Sequence, residues 1–222
     1  GHGCVTEGPG GTLWAFYTIV VGYTHIYERL IGMDLLAVNE DGELYAPHGI
    51  TDTPQYAPGV MADPVAANDT GLLPLTHRQR AMIRASTCAP GREPFYAVDS
   101  SLLTYWQPHA DDPAPSLTID LQAPYLVSAA RIVFRDVGLD YDHGGSPGAY
   151  RYLLEGLTDP DTGAWTVLVD ARDNDIDRIV DYRAFAAMSC EQVRLTILGH
   201  PAGLSMPGVM DFTAFGVRDE TK

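Results

Sequence analysis

The chain has 222 residues, room for one large domain or two small ones. Its 14 Lys plus Arg stand against 29 Asp plus Glu, and the resulting charge of −15 excludes a polyanion such as nucleic acid as partner, since phosphate binding needs clustered cations. With 45% apolar and only 19% charged residues the chain is too apolar to be a disordered acidic segment, and its 22 Gly and 16 Pro point to many turns between short strands.

Residues 1–46 read as antiparallel strands. His2 to Glu7 comes first, followed by a turn at Gly8-Pro9-Gly10-Gly11. Thr12 to about Val21 is the second strand and Arg29 to Val38 the third; Asn39-Glu40-Asp41-Gly42 turns into a short strand from Glu43 to Ala46. In the second strand Trp14, Phe16, Thr18 and Val20 share one face, while Leu13, Ala15, Tyr17 and Ile19 share the other. Both faces are largely apolar, so the strand is expected to be covered on both sides, as in a β-propeller blade wedged between neighbours. Residues 47–75 carry five prolines (Pro47, Pro54, Pro58, Pro64, Pro74) and no periodicity. They read as a linker or strap, with Tyr56, Val60, Met61, Leu72 and Leu73 available for packing.

From residue 76 to 222 the pattern is again all-β. Leu117, Ile119 and Leu121 alternate with polar residues, and strands are expected at Val127 to Phe134, Tyr150 to Glu155, Trp165 to Val169, Val193 to Ile197 and Met210 to Val217. About eight strands in this length suit a two-sheet sandwich. Ala184 to Met188 is the best candidate for a short helix. The longest apolar run, Leu13 to Val21, falls well short of the roughly 18 residues of a membrane span. The chain opens Gly1-His2-Gly3 without an initiator Met or a signal-peptide pattern, and is read as a piece of a longer protein.

Most short motifs reduce to local structure. Asp161-Thr162-Gly163 matches the aspartic-protease triplet, but its setting is a turn and no second triplet is present for a dyad. Asp173-Asn174-Asp175-Ile176-Asp177 begins like an EF-hand loop, yet Arg178 and Ala184 stand where that loop needs Gly and Glu. Cys4, Cys88 and Cys190 match no zinc spacing. Asn68-Asp69-Thr70 is a glycosylation sequon without a secretory context to support it.

Gly1-His2-Gly3-Cys4-Val5, Gly10-Gly11-Thr12-Leu13-Trp14-Ala15-Phe16-Tyr17, Glu28-Arg29, Met33-Asp34 and Asn39-Glu40-Asp41-Gly42-Glu43-Leu44 together resemble the last blade of glycoside hydrolase family 43, the five-bladed propeller arabinosidases and xylosidases. That resemblance implies that His2 lies near a calcium, or its water shell, at the propeller centre. It also implies that Arg29 reaches substrate or a catalytic carboxylate. An inverting glycosidase needs two carboxylates. The family's pair lies upstream of this chain, so the fragment alone is not expected to turn over substrate.

Tyr96-Ala97-Val98-Asp99, Thr104-Tyr105-Trp106, Leu117-Thr118-Ile119-Asp120-Leu121 and Asp211-Phe212-Thr213-Ala214-Phe215-Gly216 resemble the coagulation factor 5/8 type C (discoidin) domain, whose galactose-binding-like jelly roll is shared by carbohydrate-binding module family 32. The resemblance implies a structural calcium held by Asp99, Thr104 and Asp211, although Ser100 stands where the family usually has Gly. Trp106 belongs to the core in that family. Sugar binding there comes from variable loops at one end of the sandwich. The best match here is Asp136 to Ala149, with Tyr141 as a platform and Asp142 and His143 as hydrogen-bonding groups. The same loop is alternatively a glue contact against the propeller. The expected whole is an all-β chain in three parts: a propeller-blade remnant (1–46), a strap (47–75) and a jelly-roll sandwich (76–222). Its parent is expected to be a secreted or periplasmic glycosidase acting on arabinose- or xylose-type polysaccharide. The alternative is a non-catalytic carbohydrate-binding or adhesion module.

Overall fold

The computed structural model describes residues 2–20, 29–49, 53–77, 83–136 and 148–221. They form two compact units, one running up to Leu73 and the other starting at Pro74.

The first unit is a four-stranded antiparallel meander of β1 (Gly3–Glu7), β2 (Leu13–Val20), β3 (Arg29–Val38) and β4 (Leu44–Tyr45), in that order. The β1–β2 turn closes where Gly8 N–H donates to the Thr12 carbonyl at 2.7 Å, and Gly10 and Gly11 take φ of 72° and 77°, which side chains disfavour. At the β3–β4 turn the Asn39 side-chain oxygen accepts from the N–H groups of Asp41 (3.0 Å) and Glu43 (2.8 Å). The core of this unit is small: Trp14, Leu35 and Ala67, with Phe16 and Met33 against them.

Within the described residues β2 is not covered on both faces. Of its described side chains only Trp14 is buried; Ile19 is 40% exposed, and Ile31, paired with Thr18 across the ladder, is 76% exposed. A single sheet has no second layer, and among the described residues the cover beside Trp14 comes from the proline-rich segment. There Asp63 accepts from Val65 N–H at 2.9 Å and starts a one-turn helix, α1 (Pro64–Asn68). Asn68 is buried and its side-chain oxygen accepts the Leu35 N–H at 2.6 Å, so the sequon asparagine has no room for a glycan. Of the larger apolar residues expected to be available for packing, Tyr56, Val60, Met61 and Leu73 are exposed and Leu72 is half-buried, and the contact with Leu35 falls to Ala67 and Asn68.

The second unit is one antiparallel sheet folded over on itself. Its strands are β5 (Leu73–Pro74), β6 (Ile83–Ala85), β7 (Ser116–Phe134), β8 (Arg151–Asp159), β9 (Ala164–Ala171), β10 (Val180–Gly199) and β11 (Val209–Arg218), ordered β5-β11-β7-β10-β8-β9 with β6 added beside β7. The long strands β7 and β10 serve both layers. Residues 125–134 of β7 pair with β11 and the first half of β10, whereas 117–119 pair with β6 and the second half of β10, whose other edge takes β8. The corner in β7 falls at Gln122, with φ of 65°, and that in β10 at the register break between Cys190 and Gln192. Between the layers lie Leu117, Ile119, Val127, Ile132, Phe134, Tyr152, Leu154, Val193, Leu195, Phe212 and Trp106. Each such side chain contributes roughly 1.5–3 kcal/mol by leaving water. Trp106 is fully buried, as expected, with its indole N–H on the Thr87 carbonyl at 2.9 Å.

Ala184 to Met188, expected as a helix, is instead a bulge within β10 between the pairs Ala184–Ala129 and Met188–Val127. Pairing to β7 on both sides overrides the helix propensity of Ala and Met. Asp161-Thr162-Gly163 forms the β8–β9 turn: Asp159 accepts from Asp161 N–H at 3.0 Å, and Gly163 has φ of 73°.

Candidate functional site

The register brings the described parts of four connections to one end of the folded sheet: residues 86–115, 135–136 with 148–150, 172–179 and 200–208. They are laced by hydrogen bonds. Trp106 and Val209 exchange two main-chain bonds (2.9 and 3.0 Å), Phe134 N–H donates to Ile179 O (2.8 Å), and Arg135 N–H donates to Gly208 O (2.9 Å). The Tyr150 hydroxyl donates to Arg135 O at 2.7 Å, and the Asn174 amide donates to Tyr150 O at 2.9 Å. A methyl group on Gly208 would sit 2.7 Å from the Trp106 carbonyl oxygen, so the close approach of these chains requires glycine. These bonds join the described parts of the connections into one platform.

Two buried carboxylates anchor the platform. Asp181, on β10, accepts the Tyr152 hydroxyl at 2.9 Å and both arms of the Arg183 guanidinium at 2.8 and 3.0 Å. Burial pushes the Tyr152 phenol up, and the Asp181 charge adds to it. Asp211, on β11, faces Arg131 at 3.3 Å, accepts from the Thr213 hydroxyl at 2.8 Å, and has His77 at 3.7 Å. On the long 86–115 connection, Asp112 accepts from the hydroxyls of Ser86 and Thr87, each at 2.6 Å, and from Ala114 N–H at 3.1 Å. An open groove of about 490 Å³ lies where β9 ends, lined by Asp170, Ala171, Asp173, Asn174, Asp175 and Arg183. Its carboxylates, amide and guanidinium are suited to hydrogen-bonding a polyhydroxylated ligand.

The residues singled out in the sequence are distributed unevenly over this frame. Tyr141, Asp142 and His143 lie outside the described residues. Asp99 and Thr104 meet within one loop, the Thr104 hydroxyl donating to the Asp99 carboxylate at 2.7 Å, with the Ser101 carbonyl 3.3 Å from the same hydroxyl. Asp211 has the separate set of partners given above. The Asp99 loop offers the hard oxygens that calcium takes, whereas the Asp211 carboxylate already carries a guanidinium. Among the described residues no three His, Cys, Asp or Glu side chains converge as a metal site. In the first unit His2 is exposed; its N–H reaches the Thr18 hydroxyl at 3.2 Å and its carbonyl accepts Thr18 N–H at 3.1 Å. Arg29 opens β3, with its main chain paired to Val20. The Tyr152 partner of Asp181 and the Arg131 and His77 partners of Asp211 carry no local signal, because they lie far from those carboxylates in the chain, whereas Arg183 is only two residues from Asp181.

A family model for the F5/8 type C domain matches residues 82–207, more than half of the chain. Among solved structures, the chain is similar to the family 32 carbohydrate-binding module of Clostridium perfringens NanJ, determined in complex with galactose: TM-score 0.51, 17% identity, covering 65% of this chain and 98% of that one. It is also similar to chitosan-binding module 1 of the chitosanase/glucanase from Paenibacillus sp. IK-5, with TM-score 0.52 and 19% identity over 65% of this chain and 99% of that one. At such identities the likeness is one of fold, an antiparallel jelly-roll sandwich. No curated protein sequence matches the chain. Among the described residues no helix is long and apolar enough to cross a membrane.

Proposed function

Because the chain belongs to the F5/8 type C domain family, we propose that its sandwich is a carbohydrate-binding module that reads a saccharide at the end carrying the four laced connections. The observation that carries the reading is that convergence: the described parts of the connections are hydrogen-bonded into one frame, with an open groove of acceptors and donors where β9 ends. In this reading Tyr141 stacks on a sugar face, and Asp142 and His143 bond its hydroxyls. The neighbours solved or named with galactose and chitosan support a saccharide as ligand. The charge of −15 favours neutral or amino sugars over uronic or sialic acids. A glycan array followed by calorimetric titration tests this. Binding of a neutral or amino saccharide, lost in the Tyr141→Ala/His143→Ala double variant, is expected. Absence of binding to any saccharide overturns it.

We also propose that the first unit is the closing blade of a propeller in a parent glycosidase acting on arabinose- or xylose-type linkages, with His2 near the central calcium and Arg29 near substrate. The exposed Val5, Ile19 and Ile31 support it, as a neighbouring blade would cover them. Pentosidase activity from residues 1–222 alone would contradict it, since the carboxylate pair is expected upstream. For the sandwich, we propose a structural calcium at Asp99 and Thr104, which Asp211 joins on releasing Arg131. Addition of calcium is expected to raise Tm in the wild type and not in Asp99→Asn.

A further inference from the structure

A track along the outer face of β9 takes no part in the core. The register pairs Trp165 with Leu157, Val167 with Glu155 and Asp170 with Leu153, so these three β9 side chains share the outward face, while Leu168 and Val169 pack inward. Val167 is 50% exposed. Trp165 is half-buried and packs against neither buried cluster of the unit, whereas Trp14 and Trp106 are sealed in cores. The Arg194 guanidinium holds the Trp165 ring from one side, 4.1 Å from its centroid. Arg194 is fixed in turn by two bonds to a single oxygen of Glu155, at 3.0 and 3.1 Å, which leaves the other carboxylate oxygen as an acceptor. β9 is the last strand of the sheet, and no other described strand borders it on that side. At the far end of the track Asp170 lines the open groove together with Asp173, Asn174 and Arg183. With a rise of about 3.3 Å per residue, the distance from Asp170 to Trp165 is roughly 15 Å, the reach of a few linked sugar rings.

We propose that the saccharide site is extended: a glycan with one unit in the groove continues along the outer face of β9 and stacks a later unit on Trp165, on the side away from Arg194. This rests on the carbohydrate reading above and adds the length of the ligand. The module reads several consecutive units of a chain, not one terminal sugar. The chemistry matches along the whole track. Groove carboxylates and amide take hydroxyls, Val167 lies under C–H groups, and the indole gives a ring face its platform. The free Glu155 oxygen accepts from a hydroxyl of the stacked unit. A folded protein partner fits less well, because the apolar strip is a single strand wide, whereas a stable protein interface covers about 800 Å² on each partner.

The test titrates the full chain calorimetrically with glucosamine, galactose and xylose oligomers, each series running from monomer to hexamer. In the series that binds, affinity should rise about tenfold or more from the shortest binding oligomer to the hexamer. Trp165→Ala should weaken hexamer binding about three- to tenfold, the worth of one stacked ring, and leave the shortest binding oligomer unchanged. That unchanged binding also shows that the variant is folded. Trp165→Phe, which keeps a ring, should recover most of the loss. Acrylamide quenching gives a direct readout: with Trp14 and Trp106 sealed, protection by the hexamer and not by the monomer reports Trp165. Equal affinity for monomer and hexamer, or a Trp165→Ala variant that keeps the full length dependence, overturns the extended site and leaves the carbohydrate reading standing. Binding of none of these oligomers overturns it too, and the glycan array then decides the carbohydrate reading separately.

Discussion

Ser100 holds φ of 63° in the loop that joins Asp99 to Thr104, a left-handed conformation that costs a residue with a Cβ about 1–2 kcal/mol. The family resemblance places Gly there, and the backbone gives the reason. Ser100→Gly relieves the strain but loosens the unfolded chain, so a net gain of about 0.5–1 kcal/mol is expected, seen as a higher urea midpoint at unchanged slope. Asp181 lies at the opposite extreme. It is buried and satisfied by Tyr152, Arg183 and Arg178, so Asp181→Ala strands two guanidiniums and a phenol. A loss of about 3–5 kcal/mol in chemical denaturation is expected.

Among the elements, the 86–115 connection depends on one carboxylate. Burial pushes the Asp112 carboxyl up, but the Ser86 and Thr87 hydroxyls, the Ala114 N–H and the nearby His109 outweigh it and hold the group below the ordinary carboxylate range. A depressed folded pKa means that the unfolded chain takes up the proton first as pH falls. The stability advantage of the wild type over Asp112→Asn should therefore be full above the unfolded value near pH 4 and vanish as pH drops through the folded one. Paired urea titrations between about pH 2.5 and 6 check this. If the difference grows on acidification, the sign is wrong.

The strands also mark where sequence reasoning stopped. The meander of the first unit was legible because β1 and β3 end at Gly- and Asn-containing turns, and the alternating residues 117–121 announced themselves. The two long strands did not. Residues 117–121 and 127–134 read as separate strands because Pro124 and a Gln at φ of 65° interrupt them; only pairing to a common partner joins them. The first half of β10 was hidden in Ala184-Phe185-Ala186-Ala187-Met188, whose local preference is helical. Neither the burial of Asp136 nor the missing partner of its carboxylate is written in local sequence. The same holds for Asp211, whose counter-charge, Arg131, lies 80 positions away.

At the scale of the molecule, the charge of −15 is a uniform opponent of compactness. The described ion pairs absorb few of the 29 acidic groups, so self-repulsion remains. Raising sodium chloride from about 10 to 150 mM should therefore raise Tm, because the screening length shrinks to about 8 Å. A fall in Tm would mean that attractive pairs such as Arg194–Glu155 and Arg172–Asp170 outweigh the repulsion.

The seam that closes the second unit joins Leu75 N–H to Ala214 O at 2.8 Å and the Thr76 hydroxyl to Phe212 O at 2.8 Å. A ribosome has made Thr76 more than a hundred residues before it makes the strand that Thr76 must meet. Until then the outer edge of β7, which β11 later covers, is open to any other strand. Contacts of such long range also slow folding, toward the millisecond-to-second regime of β-sandwiches. The nascent chain is thus most vulnerable to misassociation just before β11 emerges, and a truncation that removes β11 should be far more damaging to yield than its small loss of mass suggests.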